Sequence, residues 1–154
     1  MEAKTFNSSM KEDLIDFFEK VYDYMGYSLE LGGKDSDLKN IKENYKNSGG
    51  EFWVIYRDKK IIGTIGLRKV KDKIGELKRF YVLPEFQGEG YGKFLLETIL
   101  KAARKKYEYL RLDTTKKSER AIYLFKKYDF YEIERYNDDP YAEIFMERKL
   151  LKKE

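Results

Sequence analysis

The 154-residue sequence has no cysteine and no histidine. Without cysteine there are no disulfides and no thiolate chemistry, which suits a reducing compartment, so the expected location is the cytoplasm. Without histidine the commonest general base and the commonest metal ligand are missing. Acid–base work must fall to carboxylates, tyrosine, lysine or water, and no metal site is expected. No apolar run approaches the roughly 20 residues of a membrane span. The N-terminus has no basic start leading into an apolar stretch and a small-residue cleavage site, so neither membrane insertion nor a signal peptide is expected. A concentrated basic face is also missing. The net charge is only +4, Lys and Glu interleave, and the densest patch, Lys101 to Lys106, reads as a solvated helix face rather than a nucleic-acid surface. What is present is 39% charged and 42% apolar. That composition suits one soluble globular domain spanning 1–154, long enough to bury roughly 70% of its unfolded surface.

The most informative stretch runs from Glu76 to Lys93. Glu76 to Val82 is rich in aromatic and aliphatic residues and is closed by Pro84, as for a strand and its end. From Gly90 on, apolar residues at 91, 94, 95, 98, 99, 102 and 103 form one helical stripe. Gly88, Gly90 and Gly92 therefore sit where a strand passes into a helix. The first N–H groups of a helix lack intrahelical partners and lie at its positive end, and glycine lets a large anion approach them, so this turn reads as a phosphate cradle. A Walker loop is excluded because Gln87 stands at the first required Gly and Phe94 follows Lys93. The dinucleotide fingerprint is excluded because its third Gly belongs one place after Gly92. The plain alternative is a corner that needs glycine for packing alone.

The segment Gln87-Gly88-Glu89-Gly90-Tyr91-Gly92, following a strand that ends in Tyr81-Val82-Leu83-Pro84, resembles the Q/R-x-x-G-x-G/A signature of the GNAT superfamily of N-acetyltransferases. The predicted element order, β-αα-βββ-α-β-α-ββ, matches that family's plan. The expected fold is therefore α/β, with a mixed sheet of about seven strands flanked by about four helices. The resemblance is specific from about Glu51 to Leu150 and looser before that. It implies acetyl-CoA as cosubstrate and a primary amine of a small molecule or peptide as acceptor. Backbone groups of Phe80 to Val82, Tyr81 included, would bind the pantetheine. Gln87, Gly88, Glu89, Gly90, Tyr91, Gly92 and Lys93 would hold the pyrophosphate, and a backbone N–H near Val82 would serve the oxyanion. Lys93 itself reads as a first-turn surface residue. A homodimer is left open.

Around this core the pattern predicts an edge strand from Ala3 to Phe6, then a first helix capped by a Ser9–Glu12 box and ended by Gly26. A second, more polar helix follows, capped by Asp35 or Ser36. A hairpin runs from Phe52 to Leu67 through Arg57-Asp58-Lys59, with a charged loop at Lys69 to Lys73. Further elements are a strand from Tyr109 to Asp113, a helix from Ser118 to Tyr128, strands from Tyr131 to Tyr136 and Glu143 to Leu150, and a frayed tail from Leu151 to Glu154. One strand has a phase defect. Leu77 is apolar on one parity, Phe80 and Val82 on the other, so a β-bulge near Lys78–Arg79 is expected.

Acyl transfer to an alkyl amine of pKa ~10.4 requires a proton acceptor, since neutralising the ammonium near pH 7 costs about 4–5 kcal/mol. Glu76 is the leading candidate, because the resemblance places the catalytic glutamate of some members at this position. The alternative for it is a strand carboxylate paired with Arg68 or Lys78. Glu143 is second and Glu30 third. The segment Ser118 to Phe130 resembles the family's N-x-x-A-x-x-L-Y-x-x-x-G-F, with Ser118 near the usual Asn, Phe125 in place of the usual Tyr and Asp129 in place of Gly. Ser118 and Phe125 are thus cofactor-contact candidates, but the usual general acid has lost its hydroxyl. Tyr123 should point away from the cleft and Tyr128 should pack under the last turn. A non-catalytic CoA-binding sensor or interaction module on the same fold is the second reading, and the Phe125 change is its best argument. The substrate pocket is expected between Tyr27–Gly33 and Tyr136–Tyr141.

Overall fold

A computed structural model describes residues 1–151. One mixed sheet carries the molecule: β1 (Lys4–Thr5), β2 (Glu51–Arg57), β3 (Lys60–Lys71), β4 (Ile74–Val82), β5 (Tyr109–Thr114), β6 (Tyr131–Ile133) and β7 (Ile144–Lys149), in the order β1-β2-β3-β4-β5-β7-β6. Every neighbouring pair is antiparallel except β4 with β5. The helices are α1 (Lys11–Met25), α2 (Tyr91–Ala103) and α3 (Glu119–Lys127). The expected second helix is present as two short turns, a 3-10 turn at Ser36–Lys39 and a π turn at Lys42–Lys46. The break falls at Asn40, whose φ of −143 and ψ of 70 leave the helical region, and Asp35 makes no cap; its carboxylate accepts from Tyr22, Lys34 and the Glu30 N–H instead.

Several boundaries differ from the sequence pattern for local reasons. The Ser9–Glu12 box does not form. Asn7 caps a 3-10 turn at Ser8–Met10, accepting from the Ser9 N–H and hydroxyl, and α1 continues from that turn. The charged loop after Leu67 is mostly strand. β3 runs to Lys71, and Asp72–Lys73 form a tight turn with Lys73 in the left-handed region. β6 stops at Ile133, because Arg135 turns to donate to the carbonyls of Asn137, Asp139 and Ala142. Of the tail expected from Leu151 to Glu154, only Leu151 lies within the described residues.

The core fills both sides of the sheet. Leu14, Phe17 and Phe18 of α1 and Leu95, Leu96 and Ile99 of α2 are all at most 1% exposed. Burying such side chains contributes about 1.5–3 kcal/mol each. Among the described residues, no helix is long and apolar enough to cross a membrane.

Two irregularities of β4 shape the cleft. Thr64 pairs with Tyr81 and Gly66 with Lys78, so two residues of β4 oppose one of β3. This is the expected bulge. Arg79 takes φ 53 there, and the Thr64 hydroxyl donates to its carbonyl at 2.7 Å. The phase change puts Phe80 against Phe125 of α3, at 5.6 Å between rings, and Tyr81 against Phe18 of α1, at 5.7 Å. The second irregularity is that β4 and β5 pair only over Ile74–Glu76 and Tyr109–Arg111. β4 nevertheless continues to Val82, while β5 stays paired with β7 through Thr114. From Leu77 onward the sheet is split.

Candidate active site

The split opens into a cleft of about 1320 Å³ that runs from the turns after α1 to the loop between β6 and β7. Phe80, Tyr81, Ser118 and Phe125 line it, as do Glu76, Tyr27 and Tyr136 to Tyr141. The Tyr136–Tyr141 loop and Phe80 and Tyr81 of β4 thus share one space, whereas of Tyr27–Gly33 only Tyr27 lines it, and Val82 does not. Gln87 to Lys93 lie beyond this cleft, at the start of α2.

That turn suits an anion. Pro84–Phe86 forms a 3-10 turn, Gly88 and Gly90 take φ 82 and φ 92, and α2 begins at Tyr91 with no side-chain cap on its first N–H groups. These are left-handed angles that β-carbon-bearing residues adopt at a cost of roughly 1–2 kcal/mol. A Cβ built on either residue would meet no backbone atom within 4 Å. A Cβ on Gly92 would lie 3.4 Å from Phe80 Cζ and 3.7 Å from Leu124 Cδ2, in ordinary contact with side chains that pack on α2. The Glu89 carboxylate faces Arg57 at 3.5 Å, and Arg57 also donates to the Tyr91 hydroxyl. Arg120, in the first turn of α3, donates to Gln87 Oε1 at 3.2 Å, and its Nη2 lies 3.7 Å from where a Gly88 Cβ would stand. A guanidinium beside uncapped N–H groups is the chemistry a pyrophosphate requires. Arg120 was not singled out by the motif, because it lies on a different helix. Lys93 is exposed, as expected. Gln87 also donates from its side chain to the Val82 carbonyl at 3.1 Å, tying the turn to the end of β4.

Glu76 is buried at 4% exposure and lines the cleft. Both of its oxygens are engaged: Arg68 Nε donates to Oε1 at 2.9 Å, and the Tyr136 hydroxyl donates to Oε2 at 2.6 Å. The two readings of Glu76 therefore coexist, since it is paired with Arg68 and also faces the cleft. Nearby, Lys78 Nζ lies 3.7 Å from Asp113 Oδ2, which accepts from the Asn137 amide at 2.6 Å. Glu143, the second candidate, is exposed and its carboxylate accepts from the Lys116 N–H. Glu30, the third, pairs with Lys34 near the surface and is not part of the cleft lining.

The α3 residues fall as the helical spacing predicts. Phe125 is 3% exposed and packs on Phe80 and Phe130. Tyr123 is 64% exposed, with Lys127 above its ring. Tyr128 donates to Glu97 at 2.7 Å; burial and that carboxylate push its phenol up to about 12. Asp129 takes φ 69 where the family pattern has Gly. Ser118 is the N-cap residue of α3, and its hydroxyl lies 3.3 Å from that of Thr115.

The acceptor side is braced by a cluster that the pattern did not reveal. Arg79 donates to both oxygens of Asp37, to Asp35 and to the Tyr22 hydroxyl, and its guanidinium covers the Phe18 ring. Tyr45 donates to Asp37 and Tyr22 to Asp35, each at 2.5 Å. Burial raises both carboxyls, but hydrogen bonds outweigh it and hold them below the usual range: those to Asp35 from Tyr22, the Glu30 N–H and Lys34, and that to Asp37 from Arg79 together with its charge. Among the described residues, no group of three or more carboxylates, histidines or cysteines is placed to hold a metal ion.

The family model described as Acetyltransferase (GNAT) family matches residues 9–130, and the chain belongs to that family of acyltransferase enzymes. An acetyltransferase of the GNAT family from Staphylococcus aureus Mu50 superposes with a TM-score of 0.87 at 28% identity, over 97% of this chain and 99% of that one. The PaiA N-acetyltransferase from Thermoplasma acidophilum, solved in complex with coenzyme A, shares the fold at a TM-score of 0.74 and 23% identity, over 96% of this chain and 98% of that one. The mouse protein named probable N-acetyltransferase family 8 member 5 is 29% identical over 122 residues, which are 75% of this chain and 52% of that protein. The chain spans about half the length, or less, of the curated relatives it matches.

Proposed function

We propose that this protein transfers an acetyl group from acetyl-CoA to a primary amine of a small molecule or peptide. The observation that carries the reading is the split between β4 and β5, together with the glycine turn that follows β4 at the uncapped start of α2. The exposed edge of β4 from Leu77 to Val82 offers backbone groups to an amide-bearing arm. The turn at Gly88 and Gly90, with Arg120, offers donors to a pyrophosphate. Charge-assisted hydrogen bonds contribute ~1.5–3 kcal/mol each, so a few of them suffice for micromolar affinity. The coenzyme A complex of the Thermoplasma protein, which shares the fold, supports this choice of cosubstrate. The thioester supplies the acyl group, and this chain's residues place the amine and take its proton.

Glu76 is the proton acceptor in this reading. Its carboxylate sits in the cleft, where an amine entering between Tyr27 and Tyr141 would meet the sheet split. Phe125 leaves the departing thiolate without a tyrosine acid. A thiol of pKa near ~8.5 leaves tolerably as its anion, so water suffices. The cysteine-free composition suits a cytoplasmic setting.

Phe125 also favours the second reading, a CoA-binding sensor. Calorimetry with acetyl-CoA, followed by turnover with a panel of primary amines, decides between the two. Micromolar binding with turnover is the expected result. Binding without turnover of any amine supports the sensor, and no binding rejects both.

A further inference from the structure

Glu76 is a buried carboxylate of the cleft wall at the sheet split, and both of its oxygens already accept a hydrogen bond. Arg68 holds Oε1 from one side. The Tyr136 hydroxyl covers Oε2 from 60 residues away, and Tyr136 is only half-buried, with its ring in the cleft wall. The ring is clamped. Phe145 meets it edge-on at 5.5 Å, and the Arg111 guanidinium lies 5.1 Å from its centroid. Arg111 is itself held by Glu147 at 2.7 Å. The loop that presents Tyr136 is also held in place: Arg135 binds three of its carbonyls, and Asn137 is tied to Asp113. A hydroxyl this constrained, with its proton directed at a carboxylate, presents its remaining lone pairs to the cleft.

We infer that Tyr136 is a catalytic relay through which the acceptor amine loses its proton to Glu76. This rests on the acetyltransferase reading. The ammonium's proton passes to the Tyr136 oxygen as the Tyr136 proton passes to Glu76 Oε2. Tyr136 ends neutral, the amine ends neutral, and Glu76 carries the proton until it returns to solvent. Two protons move and no bond to carbon changes in this step. The phenol is suited to relaying rather than ionising. Burial, then the charge and hydrogen bond of Glu76 and the charge of Asp113, push its pKa far above the ordinary value, against the lowering effect of Arg111. The charged groups around the pair are Arg68 from β3, Glu76 and Lys78 from β4, Arg111 and Asp113 from β5, and Glu147 from β7.

The test is Tyr136→Phe, which keeps the ring and its packing. Purified enzyme is assayed with acetyl-CoA and four primary amines of increasing basicity: glycine ethyl ester, glycinamide, benzylamine and butylamine. The expected result at neutral pH is a kcat loss of about 10²-fold with butylamine. Loss with glycine ethyl ester, whose ammonium is far more acidic than an alkyl ammonium and gives up its proton readily to water, should be slight, and KM for acetyl-CoA should not change. The butylamine loss should shrink as pH rises. Glu76→Gln should show the same dependence on amine basicity, and the double variant should be no slower than the slower single variant, as for two members of one path. A Tyr136→Phe enzyme with wild-type kcat overturns the relay. So does a loss of equal size across all four amines, which marks a structural role. Wild-type protein that binds acetyl-CoA but acetylates none of the amines overturns the transferase reading, and the relay with it.

Discussion

The guanidinium of Arg79 grips both carboxylate oxygens of Asp37, at 3.0 Å and 2.5 Å, across 42 residues of sequence. One residue thereby joins the two sides of the cleft. Its backbone is the bulge that turns Phe80 toward α3, and its side chain holds the turns after α1 that wall the acceptor space. A left-handed φ at a residue bearing a long side chain costs roughly 1–2 kcal/mol. The strain persists because the ion cluster over-determines the position.

Arg79→Met should therefore destabilise strongly. Removing the cation leaves the half-buried Asp37 with only Tyr45 and takes one partner from the buried Asp35, and breaking a buried pair from one side costs about 3–5 kcal/mol. Chemical denaturation at pH 7 measures this, and a loss under about 1 kcal/mol would show that the cluster is not a brace.

The pH dependence of the same cluster has a definite sign. Asp35 and Asp37 are held below their ordinary value of 3.8 in the folded protein. The stability they contribute is complete above the unfolded pKa and is lost as pH falls from there through the folded values. Wild-type melting temperature should fall as pH drops below about 4. The gap between wild type and Arg79→Met should narrow over that window, since protonated carboxyls no longer need the cation. A gap that stays constant from pH 7 to pH 3 contradicts the assignment.

Gly90 and Gly92 should respond differently to alanine. At Gly90, φ 92 makes any side chain strained, and the added methyl sits where the pyrophosphate is expected. Gly90→Ala should weaken acetyl-CoA binding at least tenfold, about 1.4 kcal/mol by calorimetry. At Gly92 the methyl meets Phe80 and Leu124 at ordinary contact distance, so Gly92→Ala should bind acetyl-CoA as wild type does. Equal effects at the two positions would show that the left-handed angle at Gly90 does not set it apart.

Tyrosine substitutions on α3 test whether the cleft works without a tyrosine acid there. Tyr123 is exposed and points away from the cleft, so Tyr123→Phe should change kcat by less than about threefold, far below the ~10²-fold of a lost general acid. Phe125→Tyr should leave kcat the same or raise it. Loss of turnover in Tyr123→Phe with acetyl-CoA still bound would mean that α3 turns Tyr123 into the cleft during catalysis.

Asp129 occupies a left-handed position at the end of α3. Asp129→Gly should relieve this and stabilise by about 0.5–1 kcal/mol, raising Tm by about 1–4 °C. A lowered Tm would mean that the carboxylate's attraction for the buried Arg148 outweighs the strain relief.

Local pattern was enough for the strand–turn–helix at the glycine turn, for the bulge in β4 and for the outward face of Tyr123. Each depends on residues a few positions apart, where side-chain periodicity follows directly from backbone geometry. Parity alone located the bulge, because Leu77 and Phe80 cannot face one core unless one extra residue intervenes. Partners across the sheet were not legible in this way. Asp35 read as a helix cap and becomes a ligand of Arg79; the motif's three glycines read alike, yet Gly88 and Gly90 take left-handed angles and Gly92 does not. Glu76 carried two competing readings, and only the register of β3 against β4, with the path of the β6–β7 loop, brought Arg68 and Tyr136 to its two oxygens. Which polar groups meet depends on how distant strands pair, and that choice is made by the burial of the whole core rather than by any short stretch of chain.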